Sequence, residues 1–211
     1  MEITWYGLSC FRITERGMST IVTDPYDPAK AGLDEIKLKA DIVTISHDAP
    51  CHSHVASVQG QKWVISGPGE YEIGGVFLNA LRVGDGDKNG NNIVCVYDYD
   101  GLTVAHLGDI QDVPKRKEIE AMGSVDILLV PVGGGKGLAA GKAAEVVNLI
   151  EPKVVIPMHY KTDDLKIELT DLDAFLKQMG SGKEPEIQDS LKIKPKDLPQ
   201  DPLLVVLSHK R

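Results

Sequence analysis

Six histidines are spread over the 211 residues, and imidazole is both the commonest metal ligand and the usual proton carrier near neutral pH. His47 closes the run Asp41 to Ser46, and His52 and His54 follow within the same turn. His106 sits in Ala105-His106-Leu107-Gly108-Asp109, and His159 precedes Tyr160 at the end of another apolar run. His209 lies near the C-terminus, where a surface position is the default. Any one of these alone reads as a capping or surface histidine. The combination is more informative. Ser46-His47-Asp48-Ala49-Pro50-Cys51-His52, His106-Leu107-Gly108-Asp109 and Pro157-Met158-His159-Tyr160 present His, Cys and Asp groups after three separate strands. Loops at the ends of rigid strands are where binding groups concentrate, and such a set can converge on one point.

The elements that must position these groups follow from the apolar patterning. Short β-rich runs fill the first half: Ile3 to Ile13, Ser19 to Thr23, Asp41 to Ser46, Trp63 to Ser66, Val76 to Val83 and Ile93 to Tyr99, bounded by Gly, Pro, Asp or Asn. In the second half strands at Thr103 to His106, Val125 to Pro131, Val154 to Ile156 and Leu203 to Leu207 alternate with helical patterns at Pro114 to Met122, Ala139 to Ile150 and Leu169 to Met179. Ala143, Val146, Val147 and Ile150 recur at helical spacing, as do Leu172, Phe175, Leu176 and Met179. The continuous apolar runs around Ile42, Ile127 and Val154 predict strands covered on both faces. The expectation is an α/β layered domain spanning residues 1–211 without a linker. Gly180-Ser181-Gly182-Lys183-Glu184-Pro185 reads as a surface loop, and Lys192 to Pro202 as an extended tail.

Composition narrows the function. Lys and Arg total 23 against 31 Asp and Glu, a net charge of −8, which opposes the basic surface that nucleic-acid binding needs. No apolar stretch approaches the roughly 18 residues of a membrane span, and Met1-Glu2-Ile3-Thr4-Trp5 has no signal-peptide pattern. Cys10, Cys51 and Cys95 are odd in number and far apart, which fits a reducing cytoplasm. The expected partner is a small molecule, anionic ones included, without nucleic acid or membrane; a homo-oligomer is compatible with the sequence.

Over essentially its whole length the chain resembles the metallo-β-lactamase-fold hydrolases, in particular the small bacterial branch related to ascorbate-phosphate lactonases. The residues that carry the resemblance are Trp5 to Phe11, Thr23-Asp24-Pro25, Ser66 to Tyr71, Leu107-Gly108-Asp109, Pro131-Val132-Gly133-Gly134 and Ile156 to Tyr160. It implies an αββα sandwich, two mixed sheets face to face with helices outside and a metal site at one edge. The family's His-x-His-x-Asp-His signature is depleted here: Ala49 replaces the second histidine and Cys51 the aspartate. Leu8 stands where many relatives have histidine, and the loop after Val83 offers only Asp85 in place of another. One implied metal position keeps His47 and the shared Asp109. The other keeps His52, Asp109 and His159, with Cys51 as a fourth donor to a single zinc ion.

Four protein ligands would close the shell, whereas three leave room for water. Zinc lowers the pKa of such a water to about 7, which suits attack on a lactone, ester or phosphoester. Asp109, His47 and Asp48 are then the candidate catalytic groups, with Asp48 or Asp24 orienting ligands or taking a proton. The competing reading is a retained fold with an empty site, acting in binding or assembly.

Other signals weaken on inspection. Asp85-Gly86-Asp87-Lys88-Asn89-Gly90-Asn91 opens like a calcium loop but has Val96 at its twelfth position, so a hairpin turn is the better reading. Gly133-Gly134-Gly135-Lys136-Gly137 lacks Walker spacing and reads first as a strand-to-helix connection, with the shaping of an anionic substrate pocket as the second reading. Ser66-Gly67-Pro68-Gly69 reads as a turn, and no Gly-x-Ser-x-Gly elbow occurs. Cys10 and Cys95 are expected to be small buried hydrophobes, and Trp5 and Trp63 core or rim residues.

Overall fold

A computed structural model describes residues 1–84, 92–163, 165–180 and 185–210. Asp85 with the rest of the calcium-like loop, and most of the expected loop after Gly180, fall outside these described residues. Two mixed sheets form the body. In one, the order is Leu191–Lys192, Glu2–Trp5, Phe11–Thr14, Ile21–Thr23, Ile42–Thr44 and Trp63–Ile65. In the other it is Leu203–Leu204, Val154–Met158, Ile127–Pro131, Leu102–His106, Asn92–Tyr99, Val76–Val83 and Gly69–Ile73. Each sheet joins an antiparallel half to a parallel half. Ile21–Thr23, Ile42–Thr44 and Trp63–Ile65 run parallel in the first, and Leu102–His106, Ile127–Pro131 and Val154–Met158 run parallel in the second. The strands expected to be covered on both faces are so: every residue of Ile42–Thr44, Ile127–Pro131 and Val154–Met158 is buried.

The apolar alternation explains the sandwich. Val76, Leu78 and Ala80 are buried on one face of their strand while Phe77 is exposed on the other. They join one core with Ile3, Phe11, Ile13, Ile21 and Ile42 of the opposite sheet. Two polar ties cross it: Thr44 Oγ1 and Tyr97 Oη share a buried hydrogen bond of 2.7 Å, and Tyr99 Oη donates to the Ser19 carbonyl at 2.9 Å in a partly buried one. Helices Arg116–Met122, Ala140–Ile150 and Leu172–Gln178 accompany the seven-stranded sheet. Ala143, Val146 and Val147 of the longest are the buried face that the helical spacing predicts. The six-stranded sheet is covered differently. Val22 and Val43 pack with Tyr26, Ile36, Leu38 and Val58, and the only α-helix in that layer among the described residues is the single turn Pro28–Ala31, beside the 3-10 turn Val55–Ser57.

Several boundaries differ from expectation for local reasons. The run Ile3 to Ile13 is broken at Tyr6 to Cys10, where Gly7 and Leu8 both take positive φ (103° and 49°) and Tyr6 N–H donates to the Cys10 carbonyl. Leu203 to Leu207 splits: Leu203–Leu204 joins the large sheet, while Val206–Leu207 pairs with Ile187–Gln188. Gly69 begins an edge strand, Gly69–Ile73, instead of ending a turn. The segment after Lys192 contains a 3-10 turn at Pro195–Asp197. Trp5 is buried as expected, but Trp63 is 51% exposed on the edge strand of its sheet, outside the core. Cys10 and Cys95 are both buried.

The intersheet Thr44–Tyr97 bond gives a direct test of how the sheets are held. Tyr97→Phe leaves the Thr44 hydroxyl buried without that partner and is expected to cost about 1–3 kcal/mol in urea unfolding. Adding Thr44→Val should recover part of the loss, because neither polar group is then stranded.

Candidate functional site

The site lies where the parallel strands of both sheets end, a position that aims loop side chains from the two layers at one crevice. Asp24 follows Ile21–Thr23, and His47 and His52 follow Ile42–Thr44. Asp109 follows Leu102–His106, and His159 follows Val154–Met158. One sheet therefore supplies His47 and His52 and the other Asp109 and His159.

Asp24 organises the first group. Its carboxylate is buried and accepts from Ser46 N–H at 2.7 Å, Ser46 Oγ at 2.5 Å and His52 Nδ1 at 2.8 Å. Burial opposes its charge, yet the hydrogen bonds and the charge of His52, with contributions from His106 and Ser46, hold its pKa below the ordinary carboxylate value. The His52 side is consistent. Burial lowers its pKa, but the Asp24 hydrogen bond and charge, with Asp109, raise it overall. Ala49, where the family signature has histidine, serves the backbone: its carbonyl accepts from His52 N–H and Ser53 N–H, both at 2.9 Å. That turn swings His52 back beside His47, with ring centroids 4.2 Å apart.

Backbone contacts fix the second group. Asn92 accepts from Asp109 N–H at 3.0 Å and donates to the Leu107 carbonyl at 2.9 Å. Gly108, at φ 64°, leaves no room for a side chain against Ser46 and Asn92. His159 itself takes positive φ (52°), and its N–H donates to the Leu8 carbonyl. The broken first strand thus delivers an acceptor to the site through Leu8. His106 is a clamp: Nε2–H donates to the Ser9 carbonyl at 2.9 Å while Nδ1 accepts from Gly108 N–H at 3.3 Å.

The donor atoms of His47, His52 and Asp109 all lie within 4.8 Å of one another. His159 is adjacent, its ring 5.2 Å from that of His52 and its Nδ1 3.7 Å from Asp109 Oδ1. Both of those last atoms are buried without a hydrogen-bond partner. Unpaired buried imidazole nitrogen and carboxylate oxygen are costly unless something electropositive lies between them, so the donor set fits a divalent ion bound by nitrogen and oxygen. Cys51 falls outside the three-residue donor group. It is half-buried against the apolar layer of Tyr26, Ile36 and Val58, and burial, with Asp27 nearby, raises its thiol pKa and favours the protonated form. Asp48 is exposed and accepts from Ser53 Oγ at 3.0 Å. His54 leads into the turn Val55–Ser57, and His209 packs edge-on against Trp5.

Three further groups shape the site without being assigned to it from the residue pattern. Asn92 positions Asp109 from a neighbouring strand. Ser46 takes two of the Asp24 contacts. Gly137, in the glycine-rich connection, comes so close to Asp109 Oδ1 that a Cβ there would lie 2.1 Å from it. The connection therefore shapes one wall of the site.

Two predictions follow from this geometry. Gly137→Ala should displace Asp109 and weaken metal affinity about tenfold or more in a competitive chelator titration. Burial lowers the pKa of His159 to about 4, and burial also lowers those of His106 and His47. Below the unfolded value near 6.5, the unfolded chain therefore binds more protons at these three positions than the folded one, and stability falls with pH. His52, raised, works oppositely: its stabilisation is present below 6.5 and is lost as pH rises through its folded pKa. Metal-free protein should accordingly be most stable near neutrality, with an acid limb that His159→Asn makes shallower in pH-dependent thermal melts.

Comparison with known proteins places these features in a family. The beta-lactamase superfamily domain matches residues 2–159. A UPF0173 protein of Pyrococcus abyssi is 32% identical over 187 residues, covering 77% of this chain and 84% of that one. A UPF0173 metal-dependent hydrolase of Thermoplasma acidophilum is 28% identical over 196 residues, covering 78% and 85%. A crystal structure from Thermotoga maritima, assigned as a Zn-dependent hydrolase of the metallo-β-lactamase superfamily, is 37% identical, with TM-score 0.80 and coverage of 98% and 97%. With the paired mixed sheets and the edge site built from both, this chain belongs to the metallo-β-lactamase superfamily.

Proposed function

We propose that the protein is a metal-dependent hydrolase that binds one zinc ion between His47, His52 and Asp109, with His159 beside them, and cleaves a lactone, ester or phosphoester in a small molecule. The observation that carries this reading is the approach of the three donor atoms to within 4.8 Å of one another, next to a buried Asp109 oxygen without a hydrogen-bond partner. The relatives from Thermoplasma and Thermotoga, assigned as metal-dependent and Zn-dependent hydrolases, support it. Bound zinc would lower the pKa of water to about 7 and polarise the oxygen of the scissile group.

The chain's own residues divide the remaining work. Asp24 fixes the His52 ring through Nδ1, leaving the other ring nitrogen for the ion. Asp24 is too enclosed to exchange protons with a substrate, whereas Asp48 stands exposed at the mouth beside His47. Asp48 is therefore the group that takes the proton from the attacking water or returns it to the leaving group. No described helix is long and apolar enough to cross a membrane. With three unpaired cysteines and a net charge of −8, the proposed setting is the reducing cytoplasm and the proposed ligand a small molecule, without nucleic acid.

Untagged protein purified without chelator should carry close to one zinc per chain by elemental analysis. Asp109→Ala and His52→Ala should each lose it, and Cys51→Ser should keep it. Asp48→Asn should retain zinc while lowering kcat on 4-nitrophenyl esters by about 10²–10⁴. Folded protein that takes up no zinc on incubation would sink the proposal.

A further inference from the structure

Beside the donor group opens a cavity of about 450 Å³, large enough for a small metabolite, whose polar lining comprises His47, Asp48, Ser53, Ser66 and Arg82. Arg82 reaches it from the strand Val76–Val83, opposite Ile93. Ile93 N–H in turn donates to the Ser46 carbonyl at 2.7 Å, the residue before His47. Two backbone links therefore hold the arginine in register with the metal-binding turn.

Two other arginines, one on a strand and one on a helix, are engaged within the protein. Arg12 Nε donates to the Lys39 carbonyl, and Arg116 pairs with Glu120 at 2.7 Å. Among the described residues Arg82 has no ion pair, even though Asp48 lines the same cavity. The Asp48 carboxylate is instead held by Ser53 Oγ. The cavity is thus polarised, with a guanidinium in one part of its wall and a carboxylate near His47. A guanidinium presents a planar fork of N–H donors that matches a carboxylate or phosphate. In a chain of net charge −8, an approaching anion is repelled overall and needs such a local cation to settle.

We infer that Arg82 is the specificity-determining residue of this site, its guanidinium holding an oxyanion group, carboxylate or phosphate, that the substrate carries away from the bond to be cleaved. The inference rests on the hydrolase reading for the word substrate, but the anion site stands on its own geometry. Binding at Arg82 turns the scissile group toward His47 and Asp48 and keeps the anion clear of the Asp48 carboxylate.

Calorimetric titration of succinate and of methylphosphonate, into zinc-free and zinc-loaded protein, tests the site directly. Saturable binding of at least one probe is expected, weakened about tenfold by Arg82→Gln, partly restored in Arg82→Lys and unchanged in Arg16→Gln, as loss of one charge-assisted contact implies. The better-bound probe distinguishes a carboxylate from a phosphate preference. With zinc-loaded enzyme, Arg82→Gln should raise KM about tenfold for 4-nitrophenyl hemisuccinate and leave 4-nitrophenyl butyrate unchanged. Absence of saturable binding to the wild type, wild-type affinity in Arg82→Gln, or equal loss on both esters overturns the inference. Anion binding that depends on Arg82 in a protein that cleaves neither ester would instead overturn the hydrolase reading and leave the anion site standing.

Discussion

A single buried carboxylate sets the geometry of this protein's site. Asp24 is almost wholly removed from water, which would be prohibitive for an isolated charge, and it is tolerated because three donors converge on it. Those donors do more than neutralise it. Ser46 N–H fixes the backbone immediately before His47, and His52 Nδ1 fixes the ring of the next donor, so one residue orients two imidazoles that enter from a single turn. An orientation set by a charge-assisted network is held more stiffly than one left to side-chain rotamers, as metal affinity requires.

The sandwich supplies the rest. Parallel strands in both sheets end at the same edge, and the loops that follow them are bound across the gap by His106 to Ser9, His159 to Leu8, and Ile93 to Ser46. His106 and Ile93 join a strand of one sheet to a loop of the other, and His159 joins a loop of each. The local backbone cost is visible at Leu8, Asp24 and His159, three non-glycine residues at positive φ clustered around the site. Conformations of that kind cost about 1–3 kcal/mol each and persist only where surrounding contacts over-determine them, as they do here.

Much of this was legible in the residues. Burial of Ile127–Pro131 and Val154–Met158 on both faces followed from unbroken apolar runs, and the helix Ala140–Ile150 from the spacing of Ala143, Val146 and Val147. The family motifs located the loops that carry His47, His52, Asp109 and His159. Motif position alone could not show which way Cys51 turns, because the Ala49 carbonyl organises that turn around His52 and leaves the thiol on the apolar side. The contribution of Asn92 was equally hidden, since its side chain reaches Asp109 across a long sequence separation, and the glycine-rich connection was visible as a loop without the close approach of Gly137 to Asp109. For Trp63 the pattern left core and rim both open, because strand patterning does not reveal which strand ends a sheet.

Because His47 and His52 hang from one layer and Asp109 and His159 from the other, an ion seated among them would act as a rivet through the sandwich. Any event that loosens the two layers, at whatever distance, would be felt as weaker chelation, and chelation would in turn suppress the excursions in which the layers part. Cofactor occupancy and resistance to local opening are, in such an arrangement, two readings of the same equilibrium.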